Sequence, residues 1–225
     1  MAAVRVAALY DVHGNLPALE AVLAELDADV VVFGGDLIWG PWPRECLERA
    51  RGLGDRAHFI MGNTDRLALL DEEDPSGFYV QDRLDETEHA FVLAWPATLS
   101  LDGVLYCHGT PRDDEEVVSP ITPEERWAEV LDGVEEETVA CGHIHFQYDE
   151  RHAGHRVVNP GSVGKPTIRA TAWWAVFADG EVELHTTDYD VAAAADAMRA
   201  TGFPLPVAED LLAPTSFETA RSRWR

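Results

Sequence analysis

Two rhythms of apolar and polar residues run along the chain. Short unbroken apolar runs rich in β-branched residues read as strands buried on both faces. Stretches with apolar residues every third or fourth position read as helices. By these rules residues 4–10 (VRVAALY) form a strand, 16–26 (LPALEAVLAEL) a helix and 29–35 (DVVVFGG) a strand. Residues 43–53 (PRECLERARGL) form a second helix and 57–61 (AHFIM) a third strand. Asn15 is the expected N-cap of the first helix, with Pro17 tolerated in its first turn. A βαβαβ opening of this kind predicts a parallel sheet with covering helices.

Residues 64–96 read as mostly helical, interrupted by the acidic turn DEEDPSG. TLSL and VLYCHG flank Asp102-Gly103, a dipeptide suited to a two-residue hairpin turn. A helix around 123–131 precedes the run ETVACGH. Two further hairpins follow, turning at Ala153-Gly154 and Asp179-Gly180, and then a helix over 190–200. From about residue 203 the chain is Pro-rich and weakly patterned, which predicts a peripheral tail, packed on the surface or mobile. The first half is therefore α/β and the second half rich in hairpins. Residues 1–225 are expected to form a single domain in which two packed sheets carry helices outside. A chain of this length buries a substantial core without disulfides.

Composition narrows the setting. Cys46, Cys107 and Cys141 are odd in number and unpatterned, and the last two sit in apolar runs as small hydrophobes. The N-terminus runs into a strand without a signal-peptide profile, and no apolar stretch approaches a membrane span. The expected location is a reducing cytoplasm. The formal charge is -24, from 41 acids against 17 bases, and the only lysine is Lys165. Such a surface repels polyanions and argues against general nucleic-acid binding.

The candidate chemistry lies where the apolar runs stop. The first strand is followed by Asp11 and His13, the second by Asp36 and the third by Asn63. VLYC is followed by His108, and ETVACG by His143 and His145. Five strand ends thus each offer a metal-binding side chain, and ligands of open α/β sheets sit beyond strand carboxyl ends. Gly14, Gly35, Gly62, Gly109 and Gly142 stand beside or one residue from these positions and allow a tight turn to aim a short side chain. Four imidazoles, two carboxylates and one amide form a nitrogen and oxygen set suited to divalent manganese, iron, zinc, nickel or cobalt. Seven ligands exceed one ordinary site and match two ions sharing a carboxylate.

The segments DVHGN, GGDLIWGP, GNTD, CHGTPRD and GHIHFQYDERHAGHRVVNPGSVGKP, spanning residues 11 to 166, resemble the calcineurin-like metallophosphoesterases and, within them, the small bacterial and archaeal phosphodiesterase branch. The resemblance implies a four-layer α/β/β/α sandwich, two mixed β-sheets flanked by helices, with a dinuclear centre between loops. It implies that Asp11, His13, Asp36 and His145 hold one ion, and that Asp36, Asn63, His108 and His143 hold the other, with Asp36 bridging. Manganese is the favoured metal. The implied activity is hydrolysis of a small phosphoester by water activated at the two ions, with Asp36, Asn63 and His108 positioning water and phosphate. One departure stands out. The family often has a histidine after the metal-binding asparagine, as acid for the leaving group, and here that slot is Thr64.

Arg112 in HGTPRDD is the foremost candidate for gripping a phosphate oxygen, with an ion pair to Asp113 or Asp114 as its alternative use. Arg44, Arg66 and Lys165 are weaker candidates. His58, His89, His152, His155 and His185 lack the strand-end context and read as structural or exposed. A different class of function is a metal-binding scaffold without catalysis, like the retromer subunit of this fold. A polynucleotide nuclease is disfavoured by charge. The physiological substrate, native metal and oligomeric state are open at this level.

Overall fold

The computed structural model describes residues 4–71 and 73–223, so Glu72 of the acidic turn lies outside the described residues. Among the described residues, ten strands form two five-stranded mixed sheets. The first half supplies β1 (Val6–Leu9), α1 (Leu16–Glu25), β2 (Val30–Phe33), α2 (Pro43–Arg51) and β3 (Ala57–Phe59). The helices α3 (Asn63–Leu70), α4 (Pro75–Gln81) and α5 (Glu86–Leu93) follow. Next come β4 (Thr98–Leu101), β5 (Val104–Cys107), α6 (Glu124–Val130), β6 (Thr138–Ala140), β7 (Tyr148–His152) and β8 (His155–Asn159). β9 (Ala172–Ala178), β10 (Glu181–Thr187), α7 (Val191–Thr201), α8 (Val207–Leu212) and α9 (Phe217–Arg223) complete the chain. One sheet has the order β10-β9-β1-β2-β3 and the other β4-β5-β6-β8-β7. β1, β2 and β3 are parallel neighbours, as the opening pattern predicts, and so are β5, β6 and β8. The remaining pairings are antiparallel.

The layers follow from which face each side chain takes. Val6, Ala8 and Tyr10 on one sheet, and Val104, Tyr106, Ala140 and Val158 on the other, meet in a core between the sheets. The alternate residues Ala7, Leu9, Val31 and Phe33 face outward onto Leu19, Val22 and Leu47 of the helices. On the second sheet Cys107, Val139 and Val157 pack against Trp127 and Val130 of α6. Strands buried on both faces explain why these runs read as continuously apolar. Full burial of each Val, Leu or Phe contributes about 1.5–3 kcal/mol, which fixes the sheets against each other. Cys46, Cys107 and Cys141 are free and buried.

One sequence expectation is corrected and two segments gain detail. The acidic turn is shorter than DEEDPSG, because the Asp74 side chain caps α4 by accepting the Ser76 amide at 3.0 Å and Pro75 opens the helix. In GNTD, Asn63 is the first residue of α3 behind Gly62. Within the tail, residues 207–223 carry two short helices. Ala208 and Leu211 of α8 pack on Ala194, Ala195 and Met198 of α7, and Ala220 of α9 reaches the core outside the second sheet. Among the described residues no helix is long and apolar enough to cross a membrane.

Candidate metal centre

The parallel pairing of β1 and β2 continues past the strands themselves. Asp11 donates its amide to the Gly35 carbonyl (3.1 Å), His13 to the Asp36 carbonyl (2.8 Å) and Gly14 to that of Leu37 (3.0 Å). The two loops are thereby zipped side by side. Asp11, His13, Asp36, His143 and His145 all have positive φ, between 48° and 67°. A left-handed residue with a side chain costs about 1–2 kcal/mol, and persists where the surroundings over-determine it. Five such residues in one cluster mark a site where chain direction is subordinate to aiming side chains.

Two glycines permit the convergence. A Cβ on Gly62 would lie 2.2 Å from the Asp36 amide nitrogen, and one on Gly35 2.6 Å from His108 Nδ1. The loops after β2, β3 and β5 touch at these two points, and neither accepts a side chain.

All seven expected ligands come together. One donor atom each from Asp11, His13, Asp36 and His145 lies within 4.8 Å of the others. His145 Nε2 is 3.2 Å from Asp11 Oδ1 and 3.0 Å from His13 Nε2, and His13 Nε2 is 3.6 Å from Asp36 Oδ2. His108 Nε2 continues the cluster, 3.4 Å from Asp36 Oδ2 and 3.0 Å from Asn63 Oδ1. His143 Nδ1 is 3.1 Å from the same Asn63 oxygen. Asp36 Oδ2 therefore stands between the two groups. Outer bonds orient the rings. His108 Nδ1 donates to the Gly34 carbonyl (2.9 Å) and His145 Nδ1 to the Lys165 carbonyl (2.8 Å), which turns both Nε2 atoms inward.

The electrostatics call for a cation. Asp11 Oδ1 is buried and has no hydrogen-bond partner. Burial would raise the Asp11 carboxyl, but the charge and hydrogen bond of His145, with His108 beyond, hold it below the usual carboxylate range. Burial likewise opposes ionisation of Asp36, and His108 overrides it and keeps Asp36 ionised. His108 is pulled down by burial but raised to about 10 by Asp36 and Asp11. His13 is pushed down to about 3, chiefly by burial. His143 is also lowered, by burial and then by His108. Two dry carboxylates, the neutral imidazoles of His13 and His143 and an orphaned oxygen fit divalent ions of the nitrogen- and oxygen-seeking kind.

The GNTD segment divides its work. The Thr64 amide donates to Asp36 Oδ1 at 2.9 Å, while the buried Thr64 hydroxyl has no partner. Asp65 is fully buried and accepts the amides of Ile38 (2.8 Å) and Leu37 (3.2 Å), which pins the loop carrying Asp36. Burial, then the charge of Asp36, raises its carboxyl to about 7.

The basic candidates differ in their commitments. Arg112 donates to Glu116 (2.8 and 2.9 Å) and to the Glu129 carbonyl (3.1 Å), so its ion pair is with Glu116 and not with Asp113 or Asp114. The Asp113 carboxylate is taken by the amides of Glu115 and Glu116, and Asp114 by Arg66. Arg44 is bound to Glu88. Arg66 and Arg112 line a cleft that reaches His108. Lys165 lines another, with His13 and His145. The other histidines serve elsewhere: His152 stacks on Trp127, His185 on Trp174, and His155 bonds the Glu136 carbonyl.

Sequence reasoning missed the residues that carry the ligand loops. Ser162 Oγ donates to the Asp11 carbonyl (2.8 Å), Asn159 Nδ2 to that of Gly142 (2.7 Å) and Asn15 Nδ2 to that of Gly164 (2.8 Å). A buried Asn or Ser just after an apolar strand was the available signal, since such groups must find partners.

Residues 4–179 match the model of the calcineurin-like phosphoesterase superfamily domain. Comparison with curated proteins finds no match. Among solved structures, a metallophosphoesterase from Sphaerobacter thermophilus is 26% identical, with a TM-score of 0.80 over 94% of this chain and 99% of its own. A hypothetical protein from Pyrococcus horikoshii OT3 is 22% identical, with a TM-score of 0.82 over 92% of this chain and 97% of its own. A phosphoesterase from E. coli is 18% identical, with a TM-score of 0.51 over 83% and 100%. The last two likenesses concern the fold.

Proposed function

The chain belongs to the calcineurin-like phosphoesterase superfamily, and we propose that within it this protein is a phosphodiesterase for small esters that works with two divalent ions, manganese foremost. The observation that carries this reading is the convergence of seven nitrogen and oxygen donors from five strand ends, with the His108 and His145 Nε2 atoms turned inward. Asp11, His13, Asp36 and His145 would hold one ion, and Asp36, Asn63, His108 and His143 the other. When bound, such ions lower the pKa of water and neutralise phosphoryl charge.

The chain's own residues supply the rest. The carbonyls of Gly34 and Lys165 hold two imidazoles in one tautomer. The Thr64 amide fixes the Asp36 carboxylate, and Asp65 fixes the loop beneath it. Arg112, at the rim of the cleft beside His108, would reach a phosphate by exchanging Glu116 for it. The Thr64 hydroxyl is far too weak an acid to protonate a departing oxygen near neutral pH. The leaving group must therefore depart as an anion or draw its proton from solvent. This favours esters with good leaving groups.

The test is turnover of bis(p-nitrophenyl) phosphate with each of several divalent metals, alongside elemental analysis. The reading expects about two equivalents of metal, turnover, and rates that fall steeply as the leaving-group pKa rises. Two equivalents without turnover of any ester would replace it with the scaffold reading.

A further inference from the structure

We propose that Lys165 and a wall raised by the C-terminal segment form a substrate subsite, in which the lysine takes phosphate oxygens and the wall receives a small, uncharged ester group. This rests on the phosphoesterase reading above and names its substrate class.

Lys165 is the only lysine in the chain. Its backbone carbonyl holds the His145 ring, so the residue is locked to the metal centre. Its side chain is half-buried and lines one cleft with His13 and His145. The ammonium stands 5.2 Å from the centroid of the Trp39 ring, whose edge packs on His13 at 5.4 Å between ring centroids.

Among the described residues, no carboxylate lies within 4.0 Å of that ammonium, whereas Arg44, Arg66 and Arg112 are each paired with acids. In a chain with 41 acids and 17 bases, a half-buried cation without an acid requires an explanation. Divalent ions next to it would add repulsion. An anion seated between lysine and ions relieves both, and lysine is a compact point charge suited to phosphate.

The opposite wall is apolar. Met198 of α7 and Val207 and Leu211 of α8 face the cleft, with Asp210 at the same wall. The cleft holds about 180 Å³, below the roughly 300–1,000 Å³ of pockets for drug-sized ligands. That space suits one aromatic ring or a short alkyl chain. Asp210 repels a second anionic group on the ester side. The substrate class is therefore an aryl or short-alkyl ester with a single phosphate.

The test compares Lys165→Met and Lys165→Arg with the wild-type protein, all metal-loaded. Calorimetric titration with inorganic phosphate should show at least tenfold weaker binding in Lys165→Met and partial return in Lys165→Arg, at equal metal content. The KM for bis(p-nitrophenyl) phosphate should rise more than kcat falls. Reductive methylation with ¹³C-formaldehyde labels one lysine, and its NMR signal should move on phosphate addition. Val207→Ala should raise the KM for the aryl diester while leaving phosphate affinity unchanged. Equal phosphate affinity in Lys165→Met with an unmoved signal overturns the lysine's role, and an unaltered KM in Val207→Ala overturns that of the wall. Phosphate binding through Lys165 in a protein that hydrolyses no ester would leave this subsite standing and overturn the phosphodiesterase reading instead.

Discussion

The two ends of the sandwich use the same unusual backbone conformation for different reasons. At the far end the hairpins reverse at Asp102-Gly103, Ala153-Gly154 and Asp179-Gly180, with φ of 50°, 48° and 52° at the first residues. Each partner glycine is also at positive φ, and a Cβ on any of them would meet nothing within 4 Å. Here the left-handed residue belongs to a two-residue turn, and its cause is local. At the end of the candidate metal centre Asp11, His13, Asp36, His143 and His145 share the conformation. Their cause is tertiary: paired loops, the Asp65 carboxylate and the Ser162 and Asn159 side chains hold each in place. One torsion thus closes the chain at one end and aims candidate ligands at the other.

Asp36→Asn should give the largest effect. It removes the charge of the oxygen that stands between both ligand groups and leaves His108 without its main partner. Metal affinity and turnover should fall by more than the roughly 10–100-fold that loss of an outer-shell partner costs. Asp179→Asn, in the same conformation at the far end, should change neither. If Asp36→Asn retained both metals and full activity, the contrast between the ends would collapse.

Paired glycine substitutions come next. Gly62→Ala would place a Cβ 2.2 Å from the Asp36 amide, so the loop must shift and activity should drop tenfold or more. Gly103→Ala meets no atoms within 4 Å, but its φ of 77° costs about 1–2 kcal/mol. It should lower the melting temperature and leave kcat/KM alone. Similar activities in the two variants would mean that the close approach at Gly62 is not needed.

What the sequence disclosed follows the same division. The three hairpins were legible because Asp-Gly and Ala-Gly dipeptides carry the turn locally. The seven side chains that converge were legible as candidates through residue type and strand-end placement. Their left-handed backbone was not, because nothing local imposes it on His143 or His145. The helices α8 and α9 were missed for a related reason. Six or seven residues cannot sustain a helix by their own propensity, and these form because Ala208, Leu211 and Ala220 find packing elsewhere. Strand β3 ends at Phe59 rather than at 61, since the Met61 amide turns to the Pro96 carbonyl.

A pH experiment separates the ends further. In the metal-free protein His108 is raised to about 10 from an ordinary value near 6.5, with burial overcome by Asp36 and Asp11. Its stabilising contribution is complete below about pH 6.5 and is lost as pH rises through 10. Asp65, raised to about 7 by burial and Asp36, acts in the same direction between about pH 4 and 7. Below about pH 6.5 the lowered His13 and His143 oppose Asp65, so the stripped protein should lose stability with rising pH chiefly above about pH 7, through His108. Ion binding must displace the His108 proton, so affinity should climb with pH, and calorimetry in buffers of different ionisation enthalpy should detect proton release. Release of no proton at pH 7 would place the ion away from His108.

The smallest effect is expected at Ala153, where the local explanation can be tested alone. Ala153 and Gly154 form the two-residue turn between the paired residues His152 and His155, and both have positive φ. That geometry favours Asn at the first position, because a short polar side chain tolerates the left-handed region better than a methyl group does. Asp102 and Asp179 already have residues of this kind, so Ala153 is the poorest of the three turns. Ala153→Asn should stabilise the protein by about 0.5–1 kcal/mol, a rise of roughly 1–4 °C in Tm for a chain of this length. Part of the gain is offset by the contact Ala153 makes with the core outside the second sheet. Metal affinity and kcat/KM should not move, because the turn lies at the opposite end of β8 from the ligand loops. A change in either would mean that the two ends are coupled through the strand. A loss of stability would mean that packing, not the turn torsion, sets the residue at 153.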